Sequence, residues 1–417
     1  MTLPTKLPPR AWLIVGLLWM VGCFNYLDRV MITTMRGSIV DAIPMTDAQF
    51  GLLTSIFLWV YGLLSPFAGF LADRFNRSRV IIGSLFAWSA ITWLTAHATT
   101  FGELLATRAL MGVSEACYIP AALALIADYH RGTTRSLATG VHMSGIMVGS
   151  GLGGLGGWIA ERHGWNHAFL IFGLGGIGYS VVLALLLRDA PRDDGSATPT
   201  ATAAPKVRLG EALTSLFARR AFLIALAYWG LLGLAGWAVV GWMPTYLNEQ
   251  FHLSQGTAGL SATGYIQGAS LVGVLLGGWW ADRWSRNDER GRVLVPMIGL
   301  LIAVPGIFIA SSVTVLPVAL AGLVIFGVTK AFSDPNMMPI LCSVTDPRFR
   351  ATGYGVLNFC SCLIGGLSIY AGGALRDAHV NVSWMFRFAA LTIIVCATLL
   401  YFVRPQAQAD VAKPARA

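Results

Sequence analysis

Apolar runs of about 20 residues, each able to span roughly 30 Å of hydrocarbon, recur from one end of this chain to the other. A soluble core cannot bury so many, and the composition agrees. Of the 417 residues, 55% are hydrophobic and 12% charged, against about 25% charged in an ordinary soluble domain. The expected fold class is an all-α membrane protein with twelve transmembrane helices. They are predicted near 12–36, 48–71, 79–97, 101–127, 135–160, 167–188, 221–247, 256–281, 292–311, 315–341, 349–374 and 382–403. Between the sixth and seventh, Asp189 to Arg220 has a core too polar and Pro-rich to bury a face. It divides the chain into six-helix bundles at 1–188 and 221–417, joined by a linker at 189–220. Thr2 to Arg10 is Pro-rich and weakly basic, and the first apolar run is too long for the core of a cleavable signal peptide, so the first span is expected to stay. The six cysteines, five within predicted spans and Cys342 at the edge of one, have no metal-ligand spacing and read as small core residues. No metal or cofactor is expected.

Basic residues are distributed unevenly about these spans. The side with the termini collects Arg74, Arg77, Arg79, Arg131, Arg135, the basic residues of the linker, Arg283, Arg286, Arg290, Arg292, Arg348 and Arg350, while Arg162 and Arg376 fall opposite. This bias places both termini and the linker in the cytoplasm. The expected location is a cell membrane, with a bacterial inner membrane as the setting. The net charge of +9 is largely the same bias. It suits anionic lipid headgroups and argues against nucleic acid as a partner.

The first run contains an acid and a base side by side, in Asn25-Tyr26-Leu27-Asp28-Arg29. Ionisable groups at membrane depth are costly and normally face a bundle interior or a watery cavity, which favours a site over a pair that snorkels to the surface. At a rise of about 1.5 Å per residue, Asp28 lies about 24 Å from the start of its helix, and Arg108 about 10 Å from the opposite start of the fourth, so the two can meet. Glu115 is about 10 Å deeper than Arg108 on nearly the same helix face.

The halves repeat each other. Gly69-Phe-Leu-Ala-Asp73-Arg74-Phe75 is answered by Gly278-Trp-Trp-Ala-Asp282-Arg283-Trp284, and Gly112, Pro120, Arg135 and Gly140 superpose on Gly327, Pro335, Arg350 and Gly355. A duplicated six-helix unit marks a transporter with its site between the halves. The second register sets Lys330 opposite Glu115. Lys330 has two partners open to it: Glu115 across the cavity, or Asp334 one turn along its own helix.

The run Gly69-x-Leu-x-Asp73-Arg74, followed by Arg77 and Arg79, resembles the loop signature of the major facilitator superfamily, and the second copy strengthens the likeness. The resemblance covers essentially the whole chain. It implies alternating access and a cytoplasmic latch, with Asp73 near the eleventh helix and Arg79 near Asp128. Within the superfamily, Asn25-Tyr26-Leu27-Asp28-Arg29 and Arg108-x6-Glu115, followed by Pro120, look like the anion:cation symporter family, whose members include sugar-acid permeases. That likeness implies proton-coupled uptake of an organic anion, with Arg29 as carboxylate ligand and Asp28, Arg108 and Glu115 in protonation and coupling. Spinster-like lipid transporters share the Asp-Arg pair and the Arg-x6-Glu spacing, and Phe75-Asn76-Arg77 looks like theirs. Lys330 matches neither pattern.

Physical need supports the same residues. An anion crossing an apolar barrier requires guanidinium or ammonium groups in place of its hydration, which Arg29, Arg108 and Lys330 supply. Uphill movement requires a coupled species, and Asp28 and Glu115 are the carboxylates available to carry a proton. Gln267, Asn336 and Asn358 are candidates for substrate hydroxyls, and Tyr61, Tyr265 and Trp237 for an apolar wall; structural roles in the helices compete for each of the six. His142 is either a titrating cavity residue or a satisfied core histidine. The glycines from Gly145 to Gly153 read best as close helix packing. No nucleotide loop or hydrolytic triad is present, and an enzyme is not expected. The expected function is proton-coupled symport of a small organic anion such as a sugar acid or other carboxylate, by a monomer. The alternatives are a spinster-like carrier of lysolipid or another amphiphile, and a membrane sensor that does not transport.

Overall fold

The computed structural model describes residues 10–130, 134–190, 209–288 and 290–403, apart from the side chains at 66, 68–74, 209 and 347. Among the described residues, twelve long helices cross the bundle. They are α1 Ala11–Thr34, α2 Asp47–Arg74, α3 Arg77–Thr95, α4 Phe101–Tyr129, α5 (Arg135–Leu152 continued by Gly154–His163), α6 Trp165–Leu186, α7 Arg220–Phe251, α8 Gln255–Ser285, α9 Gly291–Ser312, α10 Leu316–Val344, α11 Arg350–Asp377 and α12 Ser383–Phe402. Each predicted span is present to within a few residues. Ten satisfy length and apolarity alone; α3 and α5 are richer in Ser, Thr, Gly and Arg. Large apolar side chains such as Leu185, Leu275 and Trp279 point outward, 66–69% exposed, as a lipid-facing surface requires.

One short helix lies inside the stretch expected to be linker throughout. Leu209–Phe217 buries Ala212 and Leu216 against Phe222, Leu341 and Phe349. Apolar residues three and four apart make this end of an otherwise polar segment amphipathic.

The internal repeat is visible in the backbone. The helix α4 is interrupted after Glu115 and resumes at Tyr118, and α10 is interrupted after Lys330 and resumes at Met337. Pro120, just after the first break, and Pro335, within the second, stand at matching positions of the repeat. A proline lacks the N–H that would bond the carbonyl four residues back, and its ring crowds that carbonyl. Glu115 and Lys330 therefore both sit at the lip of a loosened turn.

Close packing holds the helices within and between the halves. A Cβ on Gly149 of α5 would collide with the Cys23 carbonyl of α1, and one on Gly373 of α11 with the Asp47 carbonyl of α2. The small residues thus let backbones touch, as read from the sequence. Across the halves, Ser55 Oγ donates to Gly366 O at 2.6 Å, Trp59 Nε1 to Leu363 O at 3.1 Å, and Thr263 Oγ1 to Gly151 O at 2.7 Å.

The bundle end opposite Arg10 and Val403 is tied by charge. Arg376 donates to Asp47 Oδ2 at 3.0 Å and to both oxygens of Glu249 at 2.7 and 2.8 Å, and Arg36 Nε donates to Asp47 Oδ1 at 2.6 Å. Asp377 accepts from the backbone amides of Asp47 and Ala48 at 2.8 and 2.9 Å, satisfying the open N-terminus of α2. Gln255 and Ser38 join α8 to the short helix Arg36–Ala42. Among the described residues, every hydrogen bond between the halves lies between this far end and the contact of Asn358 with Ser65, so the far end is closed.

Two glycine substitutions separate packing within a half from packing between halves. Gly149→Val is expected to force α1 from α5 and cost about 1–3 kcal/mol, read as a lowered melting temperature in detergent. Gly373→Val acts where the halves meet, and is expected instead to raise labelling of a Ser38→Cys thiol from the far side. Equal melting and labelling in both variants would refute this division.

Candidate functional site

A cavity of about 370 Å³ lies between the halves, with Arg29, Tyr61, Trp237, Gln267, Lys330 and Asn358 on its wall. These six include most of the substrate-facing candidates from the sequence. Asn336 is not among them: it is buried and donates to the Phe332 carbonyl at 2.9 Å, steadying the loosened turn of α10. Arg108 also lies behind the wall. Sequence reasoning passed over Tyr26, Trp229 and Tyr354, which complete an aromatic lining. Their depth and helix face carried the signal.

Arg29 is the focus of this cavity. Its guanidinium is only 2% exposed. Nε donates to Glu115 Oε2 at 2.6 Å, and Asn25 Nδ2 donates to the same oxygen at 2.9 Å. The guanidinium carbon lies 4.2 Å from the ring centre of Tyr61, 4.7 Å from Tyr26 and 5.1 Å from Phe57. Rings at these distances attract a cation where water cannot. Among the described atoms the second terminal nitrogen of Arg29 and Oε1 of Glu115 have no hydrogen-bond partner. The cation is thus neutralised from behind and retains donor capacity.

Adjacent residues on a helix point about 100° apart, so Asp28 turns away from Arg29 and into the first six helices. It is 1% exposed, and Thr92 Oγ1 donates to its Oδ2 at 3.4 Å. Asp28 and Arg108 meet as their depths allow, through the backbone carbonyl of Asp28 rather than through a close carboxylate–guanidinium bond. Arg108 NH1 donates to the backbone carbonyl of Asp28 and its Nε to that of Leu53, both at 3.4 Å, and its guanidinium lies 5.0 Å from the Phe57 ring centre. The close ion pair of this region is Arg29 with Glu115.

The two readings of Lys330 are also decided. It donates to Asp334 Oδ1 at 3.3 Å on its own helix, while Glu115 is taken by Arg29 and Asn25. His142 is a core histidine: its Nδ1 lies 3.1 Å from the Leu18 carbonyl and its ring packs edge-on against Tyr118, away from the cavity wall.

At the end with the termini, Arg77 rather than Arg79 binds Asp128. Arg77 opens α3 and looks back along α4, whereas the Arg79 amide is held by the Asn76 cap at 3.2 Å and its side chain is exposed. In the second copy Asp282 accepts from Arg292 at 3.4 Å, and Arg283 lies beside Trp279, Trp280 and Trp284. The expectations on Gly69, Asp73 and Arg74 fall outside the described side chains.

The Major Facilitator Superfamily model matches residues 18–369 and 290–417. Protein spinster homolog 3 of Danio rerio is 29% identical over 423 residues, spanning 93% of this chain and 82% of its own length. A gallate transporter of Pseudomonas putida is 26% identical, over 93% of this chain and 90% of its own. The crystal structure of a bacterial homolog to the human lysosomal transporter spinster, in an inward-facing and unoccupied conformation, superposes with a TM-score of 0.75 at 22% identity, covering 96% of both chains.

The Arg29–Glu115 pair allows a stability test. Breaking a buried pair from one side strands a charge and costs about 3–5 kcal/mol, whereas a neutral isostere that keeps the hydrogen bonds costs less. Glu115→Ala is expected to lower the melting temperature well below that of Glu115→Gln, measured in detergent by thermal unfolding. Equal melting of the two variants would contradict this coupling.

Proposed function

Because this chain belongs to the Major Facilitator Superfamily, a family of transporters rather than enzymes, we propose that it moves a small organic anion by alternating access, coupled to protons. The observation that carries this reading is Arg29: a guanidinium on the cavity wall, with a free donor and a carboxylate at its back. A substrate carboxylate that reaches this wall can take up the unpartnered donor. The aromatic lining suits a flat carboxylate, and the similarity to a gallate transporter favours aromatic and hydroxylated acids over aliphatic ones. Gln267 and Asn358, both on the cavity wall, would meet the acid's hydroxyls.

In this reading Glu115 is the coupling carboxylate. With Arg29 drawn toward the substrate, Glu115 loses part of its counter-charge and takes a proton, and the two leave together. Asp28 and Arg108 hold the backbone on which Arg29 stands. The halves 1–188 and 221–417 rock about the cavity, with the linker 189–220 and both termini in the cytoplasm of a cell membrane. The pairs Arg77–Asp128 and Arg292–Asp282 lie at that face. In this reading the far end, tied by Arg376, Asp47 and Glu249, is the outer gate, and it is shut.

A second reading rests on the similarity to spinster proteins. A spinster-like carrier of lysolipid needs room for a chain, and 370 Å³ is near the lower end of the range of about 300–1,000 Å³ for small-molecule sites. Size therefore favours the small anion.

Uptake into proteoliposomes under a pH gradient, with labelled aromatic acids, sugar acids and lysolipid, tests both. Accumulation of a carboxylate that collapses with the gradient is expected, and movement of lysolipid alone would replace this reading with the spinster-like one. Arg29→Ala is expected to weaken anion binding roughly 30- to 150-fold, the worth of about 2–3 kcal/mol of charge-assisted hydrogen bonding. Glu115→Gln is expected to retain exchange of anion across the membrane and lose accumulation. A Glu115→Gln protein that still concentrates substrate would remove Glu115 from coupling.

A further inference from the structure

One ion pair on the cavity wall has no part in the mechanism so far. Lys330 and Asp334 face the cavity 25% and 35% exposed, whereas Arg29 and Glu115 are 2% and 0% exposed. They flank the 3₁₀ turn Ala331–Ser333, where α10 is interrupted ahead of Pro335. An ammonium has three donors, and Asp334 takes one of them at 3.3 Å. An exposed pair one helical turn apart is weak, so an incoming acidic group can displace the carboxylate.

The surroundings place this pair at the other end of one ligand. Tyr26 lies against Arg29, 4.7 Å from ring centre to guanidinium carbon, and shares the cavity wall with Lys330 and Asp334. A ligand that fills the cavity therefore has one cation at Arg29 and a second at Lys330 on its wall. The titratable groups that share this wall with Asp334 are Lys330 on its own helix, Tyr26 and Arg29 on α1, Tyr61 on α2, and Tyr354 and Cys362 on α11. Lys330 is the cation bonded to it.

We propose that Lys330 receives a second acidic group of the transported anion, and that Asp334, released by this exchange, carries a proton in step with the substrate. This inference rests on the organic-anion reading above and narrows its substrate class to carboxylates with two acidic groups. The proton comes from water in the cavity when the ammonium turns to the substrate. It returns to water when the substrate leaves and the ammonium closes again on Asp334. Substrate and proton thus favour each other's binding, as symport requires. Glu115 differs because Arg29 stands between it and the cavity, whereas Asp334 meets the ligand's own volume.

Calorimetry of the full-length protein at neutral pH, in buffers of different ionisation heat, tests this with benzene-1,3-dicarboxylate and benzoate as probes. The dicarboxylate is expected to bind at least about tenfold tighter, as one added charge-assisted hydrogen bond provides, and to take up more protons than benzoate does. Lys330→Gln is expected to abolish that preference. Asp334→Asn is expected to keep it and lose the added proton uptake. A Lys330→Gln protein that retains the preference, or an Asp334→Asn protein with unchanged proton uptake, overturns the proposal. If benzoate binds wild type and is accumulated with protons while both variants match wild type, this inference alone falls. If neither probe binds wild type, the organic-anion reading falls with it.

Discussion

A guanidinium held inside a membrane-spanning bundle is the constraint to which the centre of this protein is fitted. Moving such a charge out of water costs several kcal/mol even after relaxation, and Arg29 recovers that cost from Glu115 at 2.6 Å and from the faces of Tyr61, Tyr26 and Phe57. Asn25, one turn before Arg29, supplies a second donor to the same carboxylate. Five residues of α1, α2 and α4 therefore have to be in register for one cation to be tolerated. The tight crossings of α1 with α5 at Gly149, and of α2 with α4 where a Cβ on Gly112 would meet the Phe57 carbonyl, serve that register, because a backbone displaced by one side chain would move the cation off its partners.

The arrangement also explains why two basic residues of the first six helices have different environments. Arg29 keeps a carboxylate at its back and the cavity at its front. Arg108 is surrounded by the carbonyls of Asp28 and Leu53 and the sulfur of Met111, ligands that stabilise a cation and hold two helices together. The first geometry permits exchange with a solute; the second ties down the turn of α1 from which Arg29 projects.

Much of this was legible in the sequence, for physical reasons that particular residues make plain. Hydrocarbon thickness sets one length for every span, so the boundaries were readable to a few residues. Duplication made Glu115 and Lys330 equivalent before any coordinate, and Pro120 and Pro335 explain why both stand at a broken turn. Pairing was less legible. Asp28 and Arg29 differ by one residue but by about 100° of helix rotation, and depth alone does not say which of them meets the fourth helix. Likewise Arg77 and Arg79 differ by two residues, and the Asn76 cap decides that Arg77 looks toward Asp128. Arg36, Asp47, Glu249 and Arg376 could not be joined from spacing, since their partners are brought together only by helices closing at the far end. The helix Leu209–Phe217 was masked by the polar residues before it.

The far-end network and the central site are linked by the same helices. Asp47 begins α2, which carries Phe57 and Tyr61 beside Arg29; Arg376 ends α11, which carries Tyr354 and Asn358 on the opposite wall. Exposed and half-buried ion pairs contribute little each, and here they hold a contact between two rigid halves rather than a fold. The closure joins these weak bonds and the backbone contacts of small residues to apolar contacts such as Phe50 with Trp242, and all of them part on opening. The strong pair, Arg29 with Glu115, lies wholly within the first six helices and need not break when the halves separate. Strength is thus placed where the protein must not change, and weakness where it must.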